Sequence, residues 1–576
     1  MTASRRDSGR VPLAAPASIP ALGPSLAGLE IAAPVTAGPF LVDGARAFVV
    51  GALRGGVLAV SIDGIPTLAD LHVGLGSAAG VVLYPGVVRR EFAGPRGACV
   101  ETIVVAPTLP FVVLQWGFAG GPLPTEIHFD LPHTGRDTAL ERTQSGLSWV
   151  SQDGRMSAVG ATPAPKSIDV SEGDRVRVVI RPPDEGPFSL VVAAGSAATV
   201  DAAFAASAHL PAHGRRAAEG PCEGGLRLAT GLRDVDDGVA WARARLRAII
   251  DRMAVAGDLC HSRDAEVSRG PSYLLAGLAA VGSGDRDGAQ RALSADRPEG
   301  TAAGALIAAR YAMAFGDASP ALKYARAWLA TGAPAGGSSA LGSTLEAMVP
   351  QALADALRHS APSATIEELR KLRTPSGRKL PVIGNAGGAP PGMGTPEGDV
   401  GDNAGNFFRT DPDAAWIEWR NALSHGLAGG PAGPGSWDSV DVAVEGVSGT
   451  ATAGILLTLT RGLLGLDPDA PVGRIRIAPR LPSHLTRFSA RGITVGDASL
   501  SLEYERSGAI SRFTLLPEIA AVPPLVVFEP AVHGRIREVR IDGEIADLES
   551  HSAGPMTVAP VQIPLDAPRT IELVTI

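Results

Sequence analysis

The chain has 576 residues, 45% of them hydrophobic and 19% charged, a balance that excludes a disordered protein and supplies core for several domains. Its 70 glycines and 47 prolines exclude a protein built mainly of long helices. A net charge of −8 without a basic block argues against a nucleic-acid binder, the scattered Cys99, Cys222 and Cys260 against a disulfide framework or zinc site, and the lack of a long apolar run against a membrane span.

The chain opens with a stretch, residues 1–33, in which Arg5, Arg6 and Arg10 precede an Ala- and Pro-rich run. Pro12, Pro16, Pro20 and Pro24 interrupt the compact apolar core that a secretory signal needs, so this reads as a disordered leader and the protein as cytoplasmic. From residue 34 to 225 short apolar runs bounded by Gly, Pro and Asp follow one another. Ala47–Val50, Val57–Ile62, Gly80–Tyr84, Cys99–Val105, Phe111–Phe118, Arg175–Ile180 and Phe188–Ala193 read as strands, and Asp63-Gly64 marks a hairpin turn. Strand after strand without a helical window predicts an N-terminal antiparallel β-sandwich.

The period changes over residues 226–466. Val235, Val239, Ala242, Leu246, Ile249, Ile250 and Met253 form one apolar helical face, with Asp234, Asp236 and Asp237 in the first turn, where the helix dipole favours acids. Further windows at Pro271–Val281, Gly288–Leu293, Thr301–Phe315, Pro320–Ala330, Gly342–Leu357 and Thr365–Leu372 end in Gly, Pro or Asp, the pattern of helical hairpins. A glycine-rich loop, Pro381–Asp411, precedes two more helices near Ala414–Leu427 and Thr450–Leu464. Over residues 467–576 strands resume and predict a small C-terminal β-sandwich, giving a β, α, β order.

Certain stretches resemble known proteins. Gly462-Leu463-Leu464-Gly465-Leu466-Asp467-Pro468-Asp469-Ala470-Pro471, followed by Arg476-Ile477-Ala478-Pro479-Arg480-Leu481-Pro482, is similar to the end of the last helix and its exit in bacterial amylo-α-1,6-glucosidase (glycogen-debranching) relatives. Gly492–Ala498, Tyr84-Pro85-Gly86 with Arg89, Arg90, Glu101 and Thr102, and Ala308–Tyr311 with Phe315-Gly316-Asp317 extend the resemblance. It implies the six-hairpin (α/α)6-toroid glycosidase superfamily, with the helical region as the toroid. Two departures stand against it. A complete toroid uses twelve helices and this region offers about nine windows; and Arg269 is followed by Gly270-Pro271-Ser272-Tyr273, where related enzymes carry an Arg-Asp pair that binds sugar.

The implied reaction is hydrolysis of an α-glucan or related oligosaccharide by two carboxylates, an acid and a base set apart to admit water, as in inverting enzymes. Asp438 and Glu445, just before the last helix, are the candidate bases. Glu397 and Asp399, on a loop expected to act as a flap (Gly384–Arg409), are the candidate acids, with Glu346 in reserve. Trp437, Trp416, Trp419, Arg269 and Tyr273 are the candidate sugar-binding residues, since aromatic faces suit sugar C–H surfaces; helix packing is the competing account of Trp416 and Trp419. No P-loop, His-Glu-x-x-His or Gly-x-Ser-x-Gly pattern is present. The expectation is therefore metal-free and cofactor-free chemistry on a carbohydrate, with no nucleic-acid or membrane partner. A phosphorylase, with Arg409 and His425 near the phosphate, and a carbohydrate-binding relative that has lost catalysis remain as alternatives.

Overall fold

The computed structural model describes residues 29–576 apart from 32–38, 85, 95–96, 120–123, 133–139, 152–153, 173–174, 208–224, 260–270, 296–300, 332–339, 373–407, 409, 428–451, 520–521, 548 and 554. N-terminal antiparallel sheets, a central helical region and C-terminal sheets follow in that order. The chain divides into two units, Met1–Ala218 and Glu219–Ile576.

In the first unit a nine-stranded sheet and a seven-stranded sheet share one core. Phe40, Val60, Leu68 and Phe129 of the smaller sheet and Ile103, Leu114, Trp116 and Val192 of the larger belong to it. The larger sheet is covered on its other face as well, by helix α1 (Ala197–Ser207), whose Val200, Ala203 and Phe204 pack on Val104, Phe111, Val113 and Val191. Double coverage explains why Gly97–Val105, Phe111–Ala119 and Phe188–Gly195 are apolar almost throughout instead of alternating. The sequence pattern did not predict α1, an alanine-rich helix of low polarity contrast. Inside the sandwich Arg90 is wholly buried. Its Nε donates to Glu101 Oε2 at 2.5 Å, its Nη1 to Gly56 O at 3.0 Å, and Trp116 Nε1 donates to Glu101 Oε1 at 3.0 Å. A buried charge pair this well bonded avoids the desolvation penalty of an unpaired one.

The second unit begins with a short strand, Arg227–Ala229, that pairs with Ser489–Arg491 of the C-terminal seven-stranded sheet. Helices α2 (Arg233–Leu259), α3 (Pro271–Gly282), α4 (Arg286–Ala295), α5 (Ala302–Phe315), α6 (Ser319–Thr331), α7 (Ala340–Leu357), α8 (Ser363–Lys371) and α9 (Pro412–Leu427) follow. Their ends are chemically specified. Asp236 accepts from the Thr230 and Gly231 amides ahead of α2, at 2.7 and 3.1 Å. Thr301 caps α5 by accepting from Gly304 N at 3.0 Å, and Gly316, at φ 75°, closes it through a bond to Ala312 O.

The last helix differs from its reading as one regular element. Residues 452–457 are α-helical and pass into a π-helical turn, Thr458–Leu463, where Leu464 N bonds to Leu459 O at 3.0 Å. The chain leaves it through Gly465, at φ 60°, where a Cβ would stand 2.4 Å from Ala478 O. Leu466–Asp469 then pairs antiparallel with Arg474–Ile477, and Arg480 N returns to Leu463 O at 2.8 Å. Asp469, buried, is held by Arg474 at 2.8 Å and by Arg358 just beyond α7. The stretch that carries the sequence resemblance is thus a folded-back joint whose glycine, aspartates and arginine each have a structural task.

Two further motif stretches meet that joint. Gly496 N donates to Ala314 O, Arg286 reaches Tyr311 Oη at 3.4 Å and Asp497 at 3.1 Å, and Arg310 lies 3.7 Å from Asp467. Beside them Gly284 and Gly492 both approach Gly225, all three at positive φ, and a Cβ on Gly492 would fall 2.2 Å from Gly225 O.

Candidate functional site

Of the residues proposed from sequence, Arg269, Glu397, Asp399, Trp437, Asp438 and Glu445 lie outside the described residues, as does the expected flap apart from Phe408, which is buried. Tyr273, Trp416, Trp419 and Glu346 are described.

Tyr273 opens α3, where residues of that helix pack on α4. Its ring is buried and its hydroxyl donates to Ala292 O at 2.8 Å, tying the two helices together. Trp416 and Trp419 lie three residues apart on α9, hence on one face, with ring centroids 5.2 Å apart at 37°. Both rings are buried, and the Trp419 indole donates to Ile455 O at 3.0 Å, fixing α9 to the helix that leads to the exit joint. His484 meets the Trp416 ring edge-on at 6.1 Å. The structure brings Trp416 and Trp419 together and leaves Tyr273 in a separate helix contact.

The same helix carries a carboxylate that the sequence reading passed over. Glu418, within Trp416-Ile417-Glu418-Trp419, sits at the flank of the buried face, and its Oε2 is buried without a hydrogen-bond partner among the described residues. Burial pushes its carboxyl above the usual range, and does the same to Glu346 on α7. The Trp416 Nε1 is likewise buried and unpartnered among the described residues, so one helix presents an unused acceptor and an unused donor. The sequence signal was present: an acid enclosed by two tryptophans. The rings suggested sugar platforms, and the acid between them carried no pattern of its own.

Burial that favours the protonated carboxyl is the direction in which a general acid is tuned. Among the described residues no group of three or more His, Cys, Asp or Glu side chains is placed to hold a metal ion, and no helix is long and apolar enough to cross a membrane.

No protein-family profile matches the chain, and no curated protein matches it. Solved structures similar to it include a protein assigned as a kojibiose phosphorylase from the human microbiome, 8% identical with a TM-score of 0.39 over 90% of this chain and 89% of that one. A bacterial glucoamylase complexed with acarbose is 11% identical, TM-score 0.39, over 62% and 68% of the two chains. An α-mannosidase from Bacteroides thetaiotaomicron in complex with mannoimidazole is 9% identical, TM-score 0.35, over 89% and 86%. Likeness at this level says nothing of chemistry.

Proposed function

We propose that the protein is a glycoside hydrolase of the toroid type, acting on an α-glucan or related oligosaccharide with inversion, its finer specificity of the debranching kind. The observation that carries this reading is the β, α, β order joined through the Gly462–Pro482 stretch, the segment in which the chain is most similar in sequence to the debranching relatives. Glu418, Glu346 and the loop residues Glu397 and Asp399 are the acid candidates; burial already favours the protonated form of the first two. Asp438 and Glu445 are the proposed bases, and Trp437 and Arg269 the proposed sugar contacts. The test is release of reducing sugar from a panel of α-glucans and short oligosaccharides, with and without inorganic phosphate. Phosphate-independent release supports hydrolysis; release only with phosphate replaces it by phosphorolysis.

A second reading, a carbohydrate-binding relative without catalysis, is favoured by one specific finding: Tyr273, Trp416 and Trp419 are all engaged in helix packing. Saccharide binding measured by calorimetry without turnover under any condition would establish it.

A further inference from the structure

Helix α9 carries the proposed acid Glu418 and the paired rings of Trp416 and Trp419, so whatever fixes α9 also fixes that acid. Part of its anchorage comes from the helical region. Arg420 Nε donates to Asp234 Oδ2 at 2.6 Å, and the Trp419 indole donates to Ile455 O. Leu423 lies so close to α2 that a Cβ on Gly238 would stand 2.8 Å from its Cδ2. The first turn is held differently. Asp411 already caps the helix, its Oδ1 accepting from Ala414 N at 3.0 Å. Asp413 is not needed for that task, and its Oδ1 accepts instead from the amide of Ser483 at 2.6 Å.

Ser483 stands at the second position of a turn that Leu485 N closes by donating to Pro482 O at 3.1 Å. Two C-terminal sheets grip that turn and its approach. Arg506, on the strand Ala498–Ser507, donates to Ser483 O, and His533 Nε2, on the strand Ala531–His533, lies 3.2 Å from Leu481 O. His484 follows, 3.6 Å from Asp413 and edge-on to Trp416. A short, charge-assisted bond from a turn held on both sides fixes direction as well as distance.

We infer that Asp413 is a positioning residue: through the Ser483 amide it lets the C-terminal sheets set the entry of α9, and with it the depth at which Glu418 is buried. Its effect on α9 stands by itself, and its effect on turnover rests on the hydrolase reading. Burial is what raises the Glu418 carboxyl, so loosening α9 returns that carboxyl toward its ordinary range.

Hydrogen exchange across α9, followed by mass spectrometry on the full chain, tests the bond from both ends. Asp413→Ala removes the acceptor and Ser483→Pro the donor, proline being suited to the second position of such a turn. Each should speed exchange in α9 about tenfold, the scale of a hydrogen bond to a charged acceptor. The double variant should exchange no faster than either single one. Asp413→Asn, which keeps an oxygen for the amide, should recover most of the protection. In turnover the two single variants should lower kcat with KM near parental and move the alkaline limb of the pH profile to lower pH, since a less buried acid loses its proton sooner. Parental exchange in Asp413→Ala or in Ser483→Pro, or a double variant that sums the two effects, would overturn the assignment whatever the activity. An inactive parent whose α9 responds as expected would overturn the hydrolase reading alone and leave the role of Asp413 supported.

Discussion

The Gly496 amide donates to the Ala314 carbonyl at 2.8 Å, so the turn of a C-terminal hairpin is hydrogen-bonded to the last turn of helix α5. The bond satisfies one of the carbonyls that a helix end leaves without an intrahelical partner. It also makes the sheet a part of the helical region's own capping.

The glycines of this joint should be far less tolerant than glycines elsewhere with the same backbone angle. Gly492 (φ 70°) and Gly508 (φ 58°) share the left-handed region, but a Cβ at Gly492 meets Gly225 O at 2.2 Å whereas at Gly508 nothing lies within 4 Å. Gly508→Ala should cost about 1–2 kcal/mol, the left-handed penalty alone. Gly492→Ala should cost about 3 kcal/mol or more, because backbone must move as well. Urea midpoints of the two variants make the comparison, and equal losses would show that the close approach is not rigid.

The buried pair in the first unit gives a sharper contrast. Arg90→Met leaves Glu101 buried with the Trp116 indole as its remaining side-chain donor and should destabilise by about 3–5 kcal/mol. The double change Arg90→Met with Glu101→Leu should recover much of that loss, since no uncompensated charge remains. A double variant whose loss equals the sum of the two single losses would show that Arg90 and Glu101 are not coupled and would overturn the account of the pair.

For the proposed chemistry, Glu418→Gln or Glu346→Gln should fold and lose about 10²–10⁴ in turnover, the usual cost of a missing acid. A carboxyl raised by burial is active while protonated, so parental activity should fall as pH rises through its raised value, and that alkaline limb should vanish in the variant that removes it. Asp438→Asn or Glu445→Gln should produce a comparable loss, and the variant that removes the base should lose the acidic limb of the profile. Near-parental turnover in both Glu418→Gln and Glu346→Gln would move the acid to Glu397 or Asp399.

Glu529 has the opposite linkage. Its hydrogen bonds with Arg476, at 2.8 and 2.6 Å, hold its carboxyl below the usual range. Its contribution is present above the ordinary carboxylate value, about 4.3, and is lost as pH falls through its lowered value. Glu529→Gln should therefore destabilise by about 1 kcal/mol near pH 7, a modest figure because both side chains keep solvent contact. The gap from the parent should close on acidification below about pH 4; a gap that persists there would assign it to packing.

Most of the fold was legible in the sequence because each element carries its own local signal. The strand read over Val57–Ile62 and the helix read over Thr301–Phe315 are framed by turn and cap residues whose bonds are now visible. Helix α1 was not, since Ala197–Ser207 has little polar contrast and is held by the sheet it covers. The π-helical turn was not either: a one-residue widening leaves the apolar pattern of Thr458–Leu463 unchanged. The candidate site was less legible for another reason. The motifs with the clearest resemblance, around Asp467, Gly496 and Tyr311, specify how helices and sheet are joined. An acid such as Glu418 is distinguished only by what surrounds it in space.

The pairing of Arg227–Ala229 with Ser489–Arg491 has a consequence for biosynthesis. The short strand is made before every helix from α2 onward, yet its partner is among the last third of the chain to leave the ribosome. At about 5–20 residues per second the interval between the two is on the order of 10–50 seconds. Throughout that time the nascent helices lack the sheet against which they are finished, and premature termination anywhere before Arg487 leaves an unclosed product for chaperones and proteases to sort.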